Sequence, residues 1–248
     1  MSTSNLTVAF VTGGNRGLGL ETARGLGKLG ITVVIGVRDL AKGEAAVAEL
    51  KKEGIDTVEA VRFDATNAVT HREVFGYLER KYGKLDILVN NAGVALVSDF
   101  FVNDSETVSQ DLLKQTFDTN FFSVIALTQT LLPLIKKAPA GRIVNLSSIL
   151  GSLGVHSQPE SPIAPAKELA YNASKTALNA FTVHLADALK DTPIKVNSAH
   201  PGWVKTDMGG EQAPMEIEDG GKTSVQLATL PANGPTGGFF HMGEPLPW

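Results

Sequence analysis

The chain contains no cysteine. That absence excludes disulfides, thiol catalysis and thiolate metal sites, and it fits a reducing compartment. Charge of one sign is never concentrated. Twenty-two lysines and arginines stand against 26 aspartates and glutamates, a formal net charge of −4, without a basic or acidic block. A nucleic-acid binder carries a basic patch or stripe, and none is visible. No segment approaches the about 18 uninterrupted apolar residues of a membrane-crossing helix. The opening "MSTSNLTVAF" has no basic residue ahead of its short apolar run, so no secretion signal is expected. The histidines at 71, 156, 184, 200 and 241 show no clustered ligand spacing, so no metal site is expected. A Gly-x-Ser-x-Gly elbow, the mark of many serine hydrolases, is missing. Glycosylation triplets begin at Asn5, Asn103, Asn145 and Asn172 and are read as chance. These absences lead to the expectation of a soluble, cytoplasmic protein with no nucleic-acid or membrane partner.

What is present is an ordinary globular composition, 43% hydrophobic over 248 residues, ample for a packed core. Short apolar runs alternate with longer amphipathic segments. Strands are predicted at 8–13, 31–37, 57–63, 85–90, 141–148, 194–199 and 237–241. Helices are predicted at 17–29, 39–53, 67–82, 104–137, 169–190 and about 220–230. Asp39 is expected to cap the second helix, and Pro133 to kink or stop the fourth. Residues 149–168, rich in Pro and Gly, and 201–220 read as loops. The alternation predicts one α/β domain over 1–248: a doubly wound Rossmann fold, with a mostly parallel seven-stranded sheet and helices on both faces. Ligands of such sheets bind beyond the carboxyl ends of the strands, where strand order reverses.

The first strand runs into "TGGNRGLG" at 12–19. Gly13, Gly17 and Gly19 follow a strand and enter a helix. Glycines let the backbone bend sharply and approach a pyrophosphate, and the helix N-terminal amides then face the negative charge. The P-loop alternative fails, because Leu20-Glu21 follow where Lys-Ser/Thr is needed. An NAD binder places an acidic residue near the end of the second strand, about 20 residues past the loop. Here Arg38 stands there, 19 residues after Gly19. A guanidinium matches a pair of phosphate oxygens. Arg38, with Arg16 reaching in from the loop, points to the 2′-phosphate of NADP(H).

With these stretches stand "NNAG" (90–93), "LSS" (146–148), "YNASK" (171–175) and "PGWVKTD" (201–207). In this order, over nearly the whole chain, they resemble the short-chain dehydrogenase/reductase family, and within it the carbonyl reductases. The resemblance implies NADPH-dependent reduction of aldehydes and ketones. It implies a cofactor site of Gly13, Asn15, Arg16, Gly17, Leu18, Gly19 and Arg38. Asp64 and Ala65 would contact the adenine, and Asn91, Ala92 and Gly93 would line the adenine-ribose side. Pro201, Gly202, Val204 and Thr206 would wrap the nicotinamide. The 23 residues from Ser148 to Tyr171 exceed the spacing of the commonest members and fall well short of the insertion in animal carbonyl reductases. Because that insertion is linked to their monomeric state, monomer and homo-oligomer both stay open.

Tyr171 and Lys175, four apart, share one helix face. A free tyrosine titrates near 10, and a nearby ammonium is expected to lower that value toward the range of a general acid. The resemblance makes Tyr171 the proton donor. It gives Lys175 a second contact to the nicotinamide ribose and makes Ser148 the holder of the carbonyl oxygen. Asn120, in "DTNFF", would kink a helix and hold a water that links Lys175 to solvent. Ile149, Trp203 and Met208 are candidate walls of the pocket for a hydrophobic carbonyl substrate. Two other functions share these residues: an NADP-dependent alcohol or steroid dehydrogenase working oxidatively, and a non-catalytic dinucleotide sensor.

Overall fold

The computed structural model describes residues 6–96 and 100–248; the Asn5 triplet lies outside them. Strands β1 (Val8–Thr12), β2 (Thr32–Val37), β3 (Val58–Arg62), β4 (Ile87–Asn90), β5 (Arg142–Leu146), β6 (Lys195–Ala199), β7 (Phe239–His241) and β8 (Glu244–Pro245) form one sheet. Between them run α1 (Gly17–Lys28), α2 (Leu40–Lys52), α3 (Ala68–Tyr82), α4 (Gln110–Phe117), α5 (Ser123–Ile135), α6 (Leu153–His156), α7 (Leu169–Ala188), α8 (Ile217–Gly220) and α9 (Lys222–Ala228). The strand order is β3-β2-β1-β4-β5-β6-β7-β8, parallel except for the β7–β8 pair. This is a Rossmann fold. The order reverses between β1 and β4, and their carboxyl ends mark the crevice.

Alternation along the strands explains the two helical layers. Ala9, Val11, Val33 and Ile35 face one side and pack on Ala23 and Leu26 of α1 and on Leu227 and Ala228 of α9. Val8, Phe10 and Val34 face the other side, against Val74 and Leu78 of α3 and Leu127 and Leu131 of α5. Strands covered on both faces read as continuous apolar runs, which is how "VAFVT" and "TVVIGV" look in the sequence.

The sheet has eight strands where seven are predicted. The extra one, β8, turns back on β7 through Met242 and Gly243, whose φ values of 49° and 91° are both positive. A two-residue hairpin of that kind favours Asn-Gly or Asp-Gly, and Met in the first position hides it. The predicted loop 149–168 holds a 3-10 turn at Ile149–Gly151 and the short α6, each started by a serine cap. The predicted loop 201–220 contains a Val204–Met215 bridge and α8. Asp39 caps α2 as expected, accepting from the amides of Ala41 and Lys42. The predicted helix 104–137 begins only at Gln110 and is broken by a π-helical turn, Asp118–Phe122. Pro133 lies two residues before the end of α5. Among the described residues no helix is long and apolar enough to cross a membrane.

Candidate active site

β5 and α7 bring three candidate residues together. Ser148 follows β5 and caps the 3-10 turn, accepting from the Leu150 amide at 3.2 Å. Tyr171 and Lys175 lie on the buried face of α7. Ser148 acts on the Tyr171 phenol in the sense that favours its ionised form. Lys175 Nζ donates to the Leu146 carbonyl at 2.8 Å and stands 5.5 Å from the centre of the Tyr171 ring. Gly151 permits this closeness, since a Cβ there would lie 2.8 Å from the Lys175 backbone. The edge of the Phe100 ring meets Tyr171 with centroids 5.4 Å apart.

The sequence reading expects Lys175 to bring the Tyr171 phenol down. In this protein burial wins. It pushes Tyr171 up to about 12, Ser148 opposing and the Glu168 charge adding. Burial also brings Lys175 down to about 8. Both charged forms lose hydration, and the lysine's donor bond goes to a carbonyl, not to the phenol.

Asn120 sits in the π-helical turn, a distortion that often marks functional positions. Its Oδ1 accepts from the Val94 amide at 2.8 Å. Its Nδ2 donates to the Val94 carbonyl at 2.8 Å and to Ser174 Oγ at 3.0 Å. These bonds make it a clamp between the chain after β4 and α7. Gly93 lies between Asn120 and Lys175: a Cβ there would be 3.3 Å from Asn120 Oδ1 and 3.5 Å from Lys175 Nζ.

On the other side of the crevice stands the glycine loop. Gly13 (φ 67°) and Gly17 (φ 57°) take left-handed conformations, and a Cβ on Gly19 would lie 2.3 Å from the Gly13 carbonyl. The start of α1 has no side-chain cap, whereas α2, α3, α4 and α7 each have one. Its first amides thus have no side-chain acceptor and are open to an anion. Asn15 is half-buried in the loop, and Leu18 packs against the core cluster under it. Thr12 Oγ1 accepts from the amides of Asn91 and Ala92, both at 2.9 Å, and Asn91 Nδ2 donates to the Thr12 carbonyl at 2.7 Å. Ala65 and Ala92 line one small cleft with Thr12, Phe63 and Asn90. Asp64 orders the adjoining turn, accepting from the amide and hydroxyl of Thr66.

The two arginines part company. Arg38 is exposed after β2 and has no hydrogen-bond or ion-pair partner among the described residues. Arg16 is paired with Asp207, in the segment after β6. In that segment Gly202 has φ 94°, and Val204 is buried. Pro201 is buried beside them. Thr206 Oγ1 accepts from the Gly209 amide at 3.0 Å. Trp203 Nε1 donates to the Gly209 carbonyl at 2.8 Å while half the side chain stays exposed, and Met208 is exposed as well. Ile149 is fixed by its amide, which donates to His200 Nδ1 at 3.2 Å. Burial holds His200 far down, at about 3, so it is neutral and its Nδ1 is free to accept.

Five residues of this constellation escape sequence reasoning: Thr12, Phe100, Glu168, Ser174 and Asp207. Thr12, Ser174 and Asp207 lie inside quoted motifs, so position alone could have flagged them. Phe100 and Glu168 act through contacts that no spacing announces.

A family model described as short chain dehydrogenase matches residues 7–217. The chain is 36% identical over 274 residues to carbonyl reductase (NADPH) 1 of Homo sapiens, covering 95% of this chain and 96% of that protein. Among solved structures it resembles carbonyl reductase Sniffer of D. melanogaster, with a TM-score of 0.82 and 30% identity over 98% of this chain and 100% of that one. It also resembles the NADPH-bound carbonyl reductase from chicken fatty liver, with a TM-score of 0.83 and 27% identity over 98% and 99% of the two chains.

Proposed function

The chain belongs to the short-chain dehydrogenase family, and from that premise we propose that it is an NADPH-dependent carbonyl reductase with Tyr171 as proton donor. The observation that carries this reading is the buried Tyr171 at the carboxyl end of β5, with Lys175 Nζ 5.5 Å from its ring centre and Ser148 capping the turn that follows β5.

The chain's own residues fit NADPH. Gly13, Asn15, Gly17, Leu18 and Gly19 offer a backbone cradle over the open α1 terminus for the pyrophosphate. Unpaired Arg38 suits the 2′-phosphate, with Arg16 in reach once it leaves Asp207. Asp64, Ala65, Asn91, Ala92 and Gly93 border the adenosine side. Pro201, Gly202, Val204 and Thr206 border the nicotinamide side, with Tyr171 and Lys175 toward its ribose. The names of two of the relatives carry NADPH and support this choice.

When bound, the nicotinamide supplies the hydride. Ser148 holds the carbonyl oxygen beside Tyr171, and the phenol gives that oxygen its proton. Lys175, brought down to about 8 by burial, exchanges its proton closer to neutral pH than a free lysine does. Asn120 keeps the chain after β4 in register with α7. Ile149, Trp203 and Met208 give an apolar border suited to a hydrophobic carbonyl. The oxidative reading needs a phenolate at the start, and a phenol pushed up to about 12 favours the donor form instead. The test is loss of nicotinamide absorbance with a panel of aldehydes and ketones. Consumption of NADPH in preference to NADH is expected. No consumption with any carbonyl, or a preference for NADH, contradicts the proposal.

A further inference from the structure

The helix that carries Tyr171 starts on a glutamate. The two carboxylate oxygens of Glu168 accept from the amides of Ala170 at 2.9 Å and Tyr171 at 2.7 Å. The Leu169 amide donates to Asp104 Oδ1 at 2.9 Å. The first three amides of α7 therefore all end on carboxylates, supplied by two separate segments.

Helix caps are usually Ser, Thr, Asp or Asn, whose short side chains reach these amides directly. Glu168 is 1% exposed, and no cation among the described residues pairs with it. A buried carboxylate without a counter-ion is costly, and a serine would satisfy an amide at the same place. What the carboxylate adds is charge. Glu168 lies one helical turn from the candidate proton donor, at the positive end of the helix dipole, which by itself would favour a phenolate.

We propose that Glu168 is a positioning residue for Tyr171: its buried carboxylate fixes the helix backbone at Tyr171 and places, at the start of the phenol's own helix, a negative charge that opposes phenolate formation. The proposal rests on Tyr171 being the proton donor of the reduction. It extends the pH range over which the phenol carries the proton it must give. The groups that bear on the pair come from several parts of the chain. Lys175 lies on α7 itself and Ser148 follows β5. Asp104, from the segment before α4, adds to burial in raising the Glu168 carboxyl, and the Tyr171 and Ala170 amides oppose it. From the segment before α7, Lys167 and His156 hydrogen-bond to each other.

The chain has three tyrosines, Tyr77, Tyr82 and Tyr171, so ring-carbon labelling of tyrosine gives a three-line spectrum in which Y171F assigns the third. At one alkaline pH the ionised fraction of Tyr171 is compared in the wild type, E168Q, E168S and E168D. E168S supplies an ordinary cap, so it reports on charge even if E168Q fails to fold. E168Q and E168S are expected to ionise more than wild type, with a midpoint lower by about half a pH unit or more, and E168D less than either. Equal ionised fractions in all four proteins, or E168D ionising as much as E168S, overturn the proposal. The alkaline limb of NADPH-dependent reduction is measured on the same proteins. If the Tyr171 signal moves while that limb stays fixed, Tyr171 is not the donor, and the action of Glu168 on the phenol still stands.

Discussion

Arg16, at the start of α1, is ion-paired with Asp207, 191 residues further along the chain. The pair joins the glycine loop to the segment that follows β6, in front of the open helix terminus. Both side chains are largely exposed, at 71% and 81%. An exposed pair of this kind contributes about 1 kcal/mol or less. Arg16 can therefore leave Asp207 for a phosphate at small cost. Asp207→Ala is expected to tighten NADPH binding by up to about five-fold at low salt, with the gain fading at high salt. Titration calorimetry at two ionic strengths checks this. Weaker binding in the variant would mean that Asp207 supports the site and does not compete for Arg16.

Arg38 is the unpaired cation at the end of β2. A charged hydrogen bond to a phosphate is worth about 1.5–3 kcal/mol, or roughly 10- to 100-fold. Arg38→Asp is expected to raise the KM for NADPH by that factor and to leave NADH equal or improved. Paired initial-rate measurements with the two nucleotides decide it. An unchanged NADPH-to-NADH ratio would remove Arg38 from the 2′-phosphate site.

Lys175 is buried and held at about 8, against an ordinary 10.5. Between these values the unfolded chain binds a proton that the folded site has released, so stability rises with pH across the window. Below about pH 8 the folded protein carries the full penalty, about 3 kcal/mol. Lys175→Met should therefore be more stable than wild type at pH 7, and the advantage should shrink toward pH 10. Above that the raised Tyr171 works in the opposite sense, because the unfolded phenol ionises first. Urea unfolding at pH 7 and pH 10 gives both points. A variant less stable at pH 7 would show that the lysine is a net contributor to the fold.

Trp248 stacks on Phe239 at 5.6 Å, and its carbonyl accepts from the Gly154 amide at 2.7 Å. Beside it, Ser152 Oγ donates to the Pro247 carbonyl at 2.8 Å. The segment 244–248 thus braces the turn that follows Ser148. Trp248→Ala is expected to cost about 1–2 kcal/mol and to raise KM for bulky ketones more than for small aldehydes, with NADPH affinity unchanged. Equal KM changes across the carbonyl panel would show that the brace does not shape the pocket.

The features legible in the sequence are the local ones. The glycine spacing after a buried strand, the Tyr171–Lys175 step on one helix face and the Asp39 cap each depend on a few neighbouring residues. The strand-and-helix alternation gives the sheet because covered strands must be apolar throughout. The features that stayed hidden depend on distance or burial. Asp207 meets Arg16 only after the whole sheet has formed. β8 is concealed by Met242 in a conformation that non-glycine residues seldom adopt. Prolines at 159, 162 and 165 mask the turn and helix that precede them. The direction in which Tyr171 moves follows from desolvation, which no spacing between Tyr and Lys reveals.

The most direct measurement compares wild type and Tyr171→Phe for NADPH-dependent turnover of a responsive ketone, with NADPH binding followed in parallel. Loss of a positioned general acid lowers kcat by about 100-fold or more. That loss, with nucleotide affinity kept, is the expected result. A Tyr171→Phe protein that binds NADPH and turns over at close to the wild-type rate would contradict the assignment of Tyr171 as proton donor.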